Sequence, residues 1–318
     1  MTLIMNEFIQ SGEKISMLRG LSDALIKLAK KHKNLVVLHA DFGTKLGLKN
    51  FSLAFPDRCF NFGLSEENVV SAAVGFSVRG KIPFVVGFGN FAGKAWEQIR
   101  NSVCYPNLNI KFVATNAGIF AGEDGAGYQV TEDISVMRTL PNMKIASPAD
   151  YFETMSVVEQ AFDSFGPTYV RLASREVPVI FDENYKFEFG KSSVLKKGSD
   201  ICVFSHGSVL VNVVSAAEIL VESGISASVV SMASIKPIDV ESVLNFAKNS
   251  KKCFVVEDHN LNGGLFSAIA DVLVTNQPVL LKGIGLNDRF GESGNPEELY
   301  KKYGLDVDGI VAKIREFL

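Results

Sequence analysis

The chain has 318 residues, of which 47% are hydrophobic, and its formal net charge is −3 at pH 7. A single hydrophobic core stops growing at roughly 250–300 residues, so this length predicts two domains. The interspersed charges favour neither a nucleic acid nor a membrane surface as a partner, and no apolar run approaches the ~20 residues of a membrane-spanning helix.

The chain contains four cysteines, and no two of them form a CxxC pair. They lie in apolar strand-like or helix-like surroundings, at Cys59, Cys104, Cys202 and Cys253. This pattern is typical of reduced thiols in a protein core and argues against a disulfide framework or a zinc site. The stretch Met1–Ser16 lacks the apolar core of a signal peptide, so we expect a cytoplasmic protein.

Strand-like and helix-like segments alternate through the first half of the chain. The predicted strands are Leu35–Ala40, Pro83–Phe88, Lys111–Thr115, Lys144–Ser147 and Thr168–Leu172. The predicted helices are Leu18–Lys31, Glu67–Val78, Ala95–Val103, Thr131–Arg138 and Tyr151–Asp163. This alternation predicts a doubly wound parallel sheet with helices on both faces. Ser65 is the predicted N-cap of the second helix, because its hydroxyl can accept a hydrogen bond from a free backbone N–H.

A second alternating series predicts another, smaller α/β domain. Its predicted strands are Ile201–Ser205, Ala227–Met232, Cys253–Glu257 and Val279–Gly283. Its predicted helices are Val209–Val221, Val240–Asn249, Phe266–Thr275 and a last one that begins at Val307. The periodicity fades over residues 179–199, which we interpret as the linker between a first domain at 1–178 and a second at 200–318.

One acid and two phenylalanines stand out in the first series. Glu66 precedes the second predicted helix, Phe88 ends the second predicted strand, and Phe91 follows it. An acid beside aromatic rings suits a flat, protonatable heterocycle, because the acid can share a proton with a ring nitrogen while an aromatic face packs on the ring. Plainer interpretations stay open: Glu66 and Glu67 can stabilise the helix dipole, and the phenylalanines can belong to the core.

The candidate residues follow the carboxyl ends of predicted strands, where open α/β sheets bind ligands. Asp41 follows the first strand, and residues 116–129 follow the third. Gly87 and Gly89 flank the end of the second strand, and glycines there suit the close approach of a ligand. The sequence therefore predicts a binding site at this edge of the sheet.

Three motifs together resemble the transketolase family, and the resemblance covers nearly the whole chain. They are Phe62-Gly63-Leu64-Ser65-Glu66-Glu67-Asn68, Phe88-Gly89-Asn90-Phe91 and Gly122-Glu123-Asp124-Gly125-Ala126-Gly127-Tyr128-Gln129. The resemblance implies a thiamine diphosphate pyrimidine-binding domain at 1–178 and a transketolase C-terminal domain at 200–318. It also implies that thiamine diphosphate is the cofactor.

The resemblance implies roles for four residues at the cofactor. Glu66 is the catalytic acid that holds a proton at the aminopyrimidine ring nitrogen, and such an acid works best if burial raises its pKa. Phe88 and Phe91 form the aromatic wall around that ring, and Asp41 matches a cofactor-facing aspartate.

Six residues match positions that contact the sugar substrate in the family. They are Arg19, Lys94, Asn116, Asp124, Tyr128 and Arg175. Asp124 can accept a hydrogen bond from a sugar hydroxyl, and the guanidinium of Arg175 suits a phosphate. Asn116 and Tyr128 stand where relatives have histidine, and a tyrosine, with an ordinary pKa of about 10, is a poor base at neutral pH. This departure from the family points to a specialised sugar.

Thiamine enzymes hold Mg²⁺ and the diphosphate with a Gly-Asp-Gly run and a downstream Asn, and no Gly-Asp-Gly run occurs in this chain. We therefore assign no metal ligand here and expect an N-terminal partner subunit to supply that motif in an α2β2 assembly. The implied reaction transfers a two-carbon ketol unit from a ketose, phosphorylated in the leading interpretation, to an aldose. The alternatives are the β subunit of a 2-oxo acid dehydrogenase or decarboxylase, and a non-catalytic structural or regulatory subunit.

Overall fold

The computed structural model describes residues 13–250 and 252–318. Most of the stretch 1–16, in which we expect no signal peptide, lies outside these ranges. No helix within the described ranges is both long enough and apolar enough to cross a membrane.

Strands and helices alternate along the described chain, as the sequence predicts. The strands are β1 Lys14–Ser16, β2 Leu35–His39, β3 Cys59–Asn61, β4 Ile82–Phe88, β5 Lys111–Thr115, β6 Lys144–Ala146, β7 Thr168–Arg171, β8 Glu176–Pro178, β9 Ser193–Lys196, β10 Ile201–Ser205, β11 Ala227–Ser231, β12 Ser234–Lys236, β13 Lys252–Asn260 and β14 Leu281–Leu286. The α-helices are α1 Met17–Lys31, α2 Lys49–Ala54, α3 Glu66–Val78, α4 Phe91–Lys94, α5 Trp96–Gln98, α6 Asp133–Arg138, α7 Tyr151–Asp163, α8 Leu210–Glu222, α9 Val240–Asn249, α10 Leu265–Asn276, α11 Pro296–Tyr303 and α12 Val307–Phe317. Short 3-10 helices occupy Pro56–Arg58, Ile119–Asp124 and Gly207–Val209, and a π-helical turn occupies Ile99–Cys104.

The larger sheet has seven strands in the order β12-β6-β7-β5-β4-β2-β3. All neighbouring strands are parallel except β12, which is antiparallel to β6. Helices α1 and α7 cover one face, where Leu21 and Val157 are buried, and α3 and α6 cover the other, where Val70 and Ile134 are buried. This confirms the predicted doubly wound α/β fold. The edge strand β12 was not expected, because it comes from the second half of the chain.

The smaller sheet has five strands in the order β14-β13-β10-β11-β9. Strands β14, β13, β10 and β11 are parallel, and β9 is antiparallel to β11. The second predicted α/β unit is therefore confirmed. Its edge strand β9 lies inside the predicted linker 179–199, and a strand of four residues shows too little alternation to be recognised there.

Two local predictions need correction. Ser65 is the N-cap residue of α3, but its hydroxyl donates to the carbonyl of Phe62 at 3.0 Å and accepts no backbone N–H. The single helix predicted over Ala95–Val103 is divided between α5 and the π-helical turn at Ile99–Cys104. The four cysteines, in contrast, carry free thiols as predicted.

Two buried acids at the start of α7 hold the segment that follows the first sheet. One oxygen of Asp150 accepts a hydrogen bond from the backbone N–H of Glu153 at 2.8 Å. Its other oxygen accepts from the backbone N–H groups of Ile180 and Phe181 at 2.7 and 2.8 Å. The carboxyl of Glu153 accepts from the hydroxyl of Tyr185 at 2.7 Å. The segment between the two sheets is therefore fixed to α7 by side-chain hydrogen bonds.

Burial, together with the nearby charge of Asp150, raises the pKa of Glu153 to about 8. The ordinary pKa of a glutamate is ~4.3, so the folded chain keeps a proton on Glu153 at pH values where the unfolded chain has lost it. The free energy of unfolding therefore falls as the pH rises from ~4.3 towards 8. The amide of a Glu153→Gln variant can keep the hydrogen bond to Tyr185 and has no proton to lose. At pH ~8.5 we expect this variant to exceed the wild type in unfolding free energy by on the order of 3 kcal/mol.

Urea unfolding at pH ~5.5 and ~8.5 measures the effect of Glu153. Glu159→Gln is the matched control on the same helix, because Glu159 forms a surface ion pair with Lys27 at 2.6 Å. This control should keep the pH dependence of the wild type. The expectation fails if Glu153→Gln and the wild type lose stability equally between the two pH values.

Candidate active site

A pocket of about 120 Å³ opens at the carboxyl ends of β2 and β4, next to the start of α3. Its lining consists of Ala40, Asp41, Phe42, Leu46, Leu64, Glu66, Gly87, Phe88, Asn90 and Tyr128. Four residues that the sequence singles out, Asp41, Glu66, Phe88 and Tyr128, are thus brought together. They meet because parallel strands end at the same edge of a sheet.

Glu66 is the first residue of α3, and its carboxylate meets Lys94 at the end of α4. Oε2 of Glu66 lies 2.5 Å from Nζ of Lys94, and the Glu66 side chain is only 23% exposed. Burial by itself would raise the pKa of Glu66, but the hydrogen bond and the charge of Lys94 outweigh it and hold that pKa below its ordinary value. The pKa of Glu66 is therefore not raised in the chain alone, although a raised pKa would suit a catalytic acid best.

Phe88 lies on the pocket wall between two other aromatic rings. The ring centroid of Phe42 is 5.4 Å away, and that of Tyr128 is 5.8 Å away in an edge-on arrangement. Phe91 is only 3% exposed and packs in the core against Phe112. The structure therefore does not place Phe91 among the residues that line the pocket, and its contact with the cofactor stays a prediction. Phe42, which no motif indicated, takes a place beside Phe88.

The glycines at the end of β4 serve mainly to admit protein side chains. A Cβ at Gly89 would collide with Cγ1 of Val130, and a Cβ at Gly87 would lie 3.1 Å from the ring of Phe91. The expected close approach of a ligand is therefore wrong for Gly89, whose space is filled. Gly87 still lines the pocket.

A strained turn after β2 places Asp41 and Phe42 at the pocket. Both residues have positive φ, at 64° and 56°. Oδ1 of Asn61 accepts a hydrogen bond from the backbone N–H of Asp41 at 3.0 Å, and Nδ2 of Asn61 donates to Oδ1 of Asp41 at 3.3 Å. Backbone strain of this kind persists where surrounding contacts enforce it, and it clusters at functional sites.

Four of the predicted substrate residues lie on or beside the loop after β5, namely Asn116, Asp124, Tyr128 and Arg175. Nδ2 of Asn116 donates to Oδ2 of Asp124 at 3.3 Å, across the 3-10 helix Ile119–Asp124. The guanidinium of Arg175 forms an ion pair with the exposed carboxylate of Glu123. The loop is therefore held by its own polar side chains, and Arg175 already has an anion beside it.

Arg19 lies apart from the other predicted substrate residues. Its described contacts are an ion pair with Asp23 at 3.6 Å and a position 5.9 Å from the ring centroid of Tyr151. Neither partner lines the pocket. The structure therefore does not bring Arg19 to the pocket.

The second domain supports the loop after β5. Oδ1 of Asp258, on β13, accepts a hydrogen bond from the backbone N–H of Ile119 at 2.9 Å. The hydroxyl of Ser293 donates to the carbonyl of Glu123 at 2.6 Å. These partners are 139 and 170 positions apart in the chain, so no local sequence signal could have indicated them.

The pocket is lined by the carboxylates of Asp41 and Glu66 and by three aromatic rings, and this combination suits a flat, protonatable ring. Across residues 13–250 and 252–318, no group of three or more His, Cys, Asp or Glu side chains is placed to hold a metal ion.

Two family models match the chain. "Transketolase, pyrimidine binding domain" matches residues 13–179, and "Transketolase, C-terminal domain" matches residues 190–310. The first match covers the larger sheet except its edge strand β12, and the second covers the smaller sheet together with β12.

Individual relatives agree with these matches. The chain is 45% identical to a Methanocaldococcus jannaschii protein named as the C-terminal section of a transketolase, over 96% of this chain and 97% of that protein. It is 36% identical to a 6-deoxy-6-sulfo-D-fructose transketolase subunit of a Clostridium species, over 92% of each. A solved split-gene transketolase, described as an inactive β4 tetramer, matches with a TM-score of 0.89 and 41% identity, over 95% of this chain and 98% of that one.

Proposed function

The chain belongs to the transketolase family, as the C-terminal subunit of a split enzyme, and from this premise we propose its complete activity. With an N-terminal subunit it forms a thiamine diphosphate-dependent enzyme that transfers a two-carbon ketol unit from a phosphorylated ketose to an aldose. The observation that carries the proposal is the carboxylate of Glu66 beside Phe88 in one pocket. We place the enzyme in the cytoplasm, where reducing conditions suit its four free thiols.

The residues of the pocket have complementary roles towards the cofactor. Thiamine diphosphate, when bound, supplies the electron sink for the transferred carbon unit. Glu66 holds the proton at the ring nitrogen of the aminopyrimidine. Phe42, Phe88 and Tyr128 pack around that ring and exclude water, and each aromatic contact adds about 0.5–1.5 kcal/mol beyond simple burial. Asp41 faces the cofactor from the turn after β2.

Helix α3 supports the need for a partner subunit. Leu64, just before this helix, and Phe42 both line the pocket, and they are 64% and 36% exposed. Large exposed apolar side chains next to a binding site mark an interaction surface. We propose that the partner covers this surface in an α2β2 assembly and supplies the Mg²⁺ ligands and the diphosphate site. The likeness to a β4 tetramer described as inactive agrees with this requirement.

The proposed substrate contacts come from the loop after β5 and from Arg175. The guanidinium of Arg175 can exchange the exposed carboxylate of Glu123 for a substrate phosphate, which it binds with two parallel hydrogen bonds. Asp124 and Asn116 can bind sugar hydroxyls, and the hydroxyl of Tyr128 takes the place of a histidine. A similar subunit is named for a sulfonated ketose, and this supports a substrate sugar that carries an anionic group.

Reconstitution with the N-terminal subunit tests the proposed function. The two chains are mixed with thiamine diphosphate and Mg²⁺ and given a panel of ketose phosphates and aldoses, and the products are identified by mass spectrometry. We expect ketol transfer for at least one pair of sugars from the mixture, and none from either chain alone. Oxidative decarboxylation of 2-oxo acids would instead assign the chain to a 2-oxo acid dehydrogenase, and assembly without turnover would make it a non-catalytic subunit.

A further inference from the structure

Lys94 forms an ion pair with Glu66, the same carboxylate that we propose for the cofactor ring. Lys94 ends α4, and the buried first residue of that helix, Phe91, fixes its backbone. Nζ of Lys94 lies 2.5 Å from Oε2 of Glu66 and 4.0 Å from Oε2 of Glu67. Glu66 lines the pocket, whereas Glu67 does not. One ammonium group therefore has two carboxylates within reach, one inside the pocket and one outside it.

Lys94 and the proposed aminopyrimidine ring compete for the same carboxylate oxygens of Glu66. An ammonium at 2.5 Å favours the ionised carboxylate and weakens it as a base. Despite burial, Lys94 keeps the pKa of Glu66 below its ordinary value, and the hydrogen bond to Glu66 raises the pKa of Lys94. The aminopyrimidine must therefore displace Lys94 before Glu66 can hold a proton at the ring nitrogen.

We infer that Lys94 is a movable counter-ion, which pairs with Glu66 in the chain alone and transfers to Glu67 when the cofactor ring binds. This inference rests on the proposed function, because it requires the ring at Glu66.

The transfer needs little movement. Glu67 is the next residue of α3 and already lies 4.0 Å from the ammonium. The side chain of Lys94 is 51% exposed, so it can turn without breaking contacts in the core. The ammonium stays paired with a carboxylate in both states. Lys94 is thus a positioning residue, and it keeps Glu66 charged and occupied until the assembled site receives its cofactor.

Carboxyl ¹³C NMR of the chain alone tests whether Lys94 pairs with Glu66 before the cofactor binds. The Glu66 signal is titrated in the wild type, in Lys94→Met and in Lys45→Met. Lys45 is the matched control, because its ammonium lies 5.8 Å from the ring of Phe42 at the same pocket. We expect Lys94→Met to raise the proton affinity of Glu66 about tenfold or more, because burial then acts without an opposing cation, and Lys45→Met to leave it near the wild type. An unchanged titration in Lys94→Met would overturn the inference, whatever the activity of the complex.

Calorimetry of the reconstituted complex with thiamine diphosphate and Mg²⁺ tests the transfer. Lys94→Met should bind the cofactor about 2- to 5-fold more tightly, because the ring no longer displaces a cation, and Glu67→Gln should bind it about 2- to 5-fold more weakly, because Lys94 loses its second partner. Glu67→Gln should have no effect in the Lys94→Met background. If Glu67→Gln weakened cofactor binding equally in the wild type and in Lys94→Met, the proposed transfer of Lys94 to Glu67 would be wrong.

The two experiments keep the inference separate from the proposed function. A wild-type complex that binds no cofactor would contradict the proposed function and, with it, the transfer to Glu67. The NMR titration needs neither cofactor nor partner, so it decides on its own whether Lys94 controls the proton affinity of Glu66.

Discussion

The Glu66→Gln variant, assembled with the N-terminal subunit, should lose about 10²–10⁴-fold in kcat for ketol transfer. Glutamine keeps the size and shape of the side chain and can still approach a ring nitrogen, but its amide cannot hold and return a proton. The fold should survive, because the loss of one acid from the first turn of α3 costs only about 0.3–1 kcal/mol. Steady-state assays at saturating cofactor measure kcat, and analytical ultracentrifugation measures assembly.

The matched control for this variant is Glu97→Gln, which removes an exposed acid from the adjacent helix α5. We expect the control to turn over at the wild-type rate. If Glu66→Gln did so as well, another group would have to carry the proton. The remaining titratable residues of the pocket, Asp41 and Tyr128, would then become the candidates.

The position of the pocket could be predicted from the sequence because it depends on a property of all parallel sheets. Asp41 follows β2, Phe88 ends β4, and Tyr128 belongs to the loop after β5. The carboxyl ends of parallel strands share one edge, and β5, β4 and β2 are neighbours in the sheet, so these side chains meet there. The first turn of α3, which carries Glu66, begins at the same edge.

Features that depend on packing could not be predicted in this way. Phe91 follows a strand end as a pocket residue would, but it opens a short helix whose first side chain faces the core. Lys94 reaches Glu66 across 28 positions, and β12 joins a sheet built by the other half of the chain. Hydrophobic periodicity describes one element at a time and carries no information about such pairs.

Arg171 joins the two domains from the end of β7, in a buried position between them. Its Nε lies 3.1 Å from both carboxylate oxygens of Asp133, and its Nη2 donates to the carbonyl of Asp258 at 2.9 Å. The fully buried Asp133 also accepts a hydrogen bond from the hydroxyl of Tyr169 at 2.8 Å. Because the side chain of Asp258 holds Ile119, this ion pair connects the core to the substrate loop.

The Arg171→Met variant should lose about 3–5 kcal/mol of unfolding free energy, because the charge of Asp133 is then buried without a cation. Methionine fills much of the space of the arginine stem, so the cavity left behind is a smaller cost. Urea unfolding, followed by the fluorescence of the single tryptophan, Trp96, measures the loss. Arg100→Met removes an exposed arginine and should stay within about 0.5 kcal/mol of the wild type.

A double variant separates the effect of the unpaired, buried charge of Asp133 from the effect of the hydrogen bonds that Arg171 loses. Asp133→Asn combined with Arg171→Met removes the carboxylate charge that pairs directly with Arg171, and asparagine can still accept the hydrogen bond from Tyr169. We therefore expect the double variant to be more stable than Arg171→Met alone, although it carries one more substitution. Such non-additivity is the signature of a directly coupled pair. A double variant as unstable as the sum of its two single variants would instead assign the effect to the bond from Arg171 to the carbonyl of Asp258, which the substitution at position 133 cannot restore.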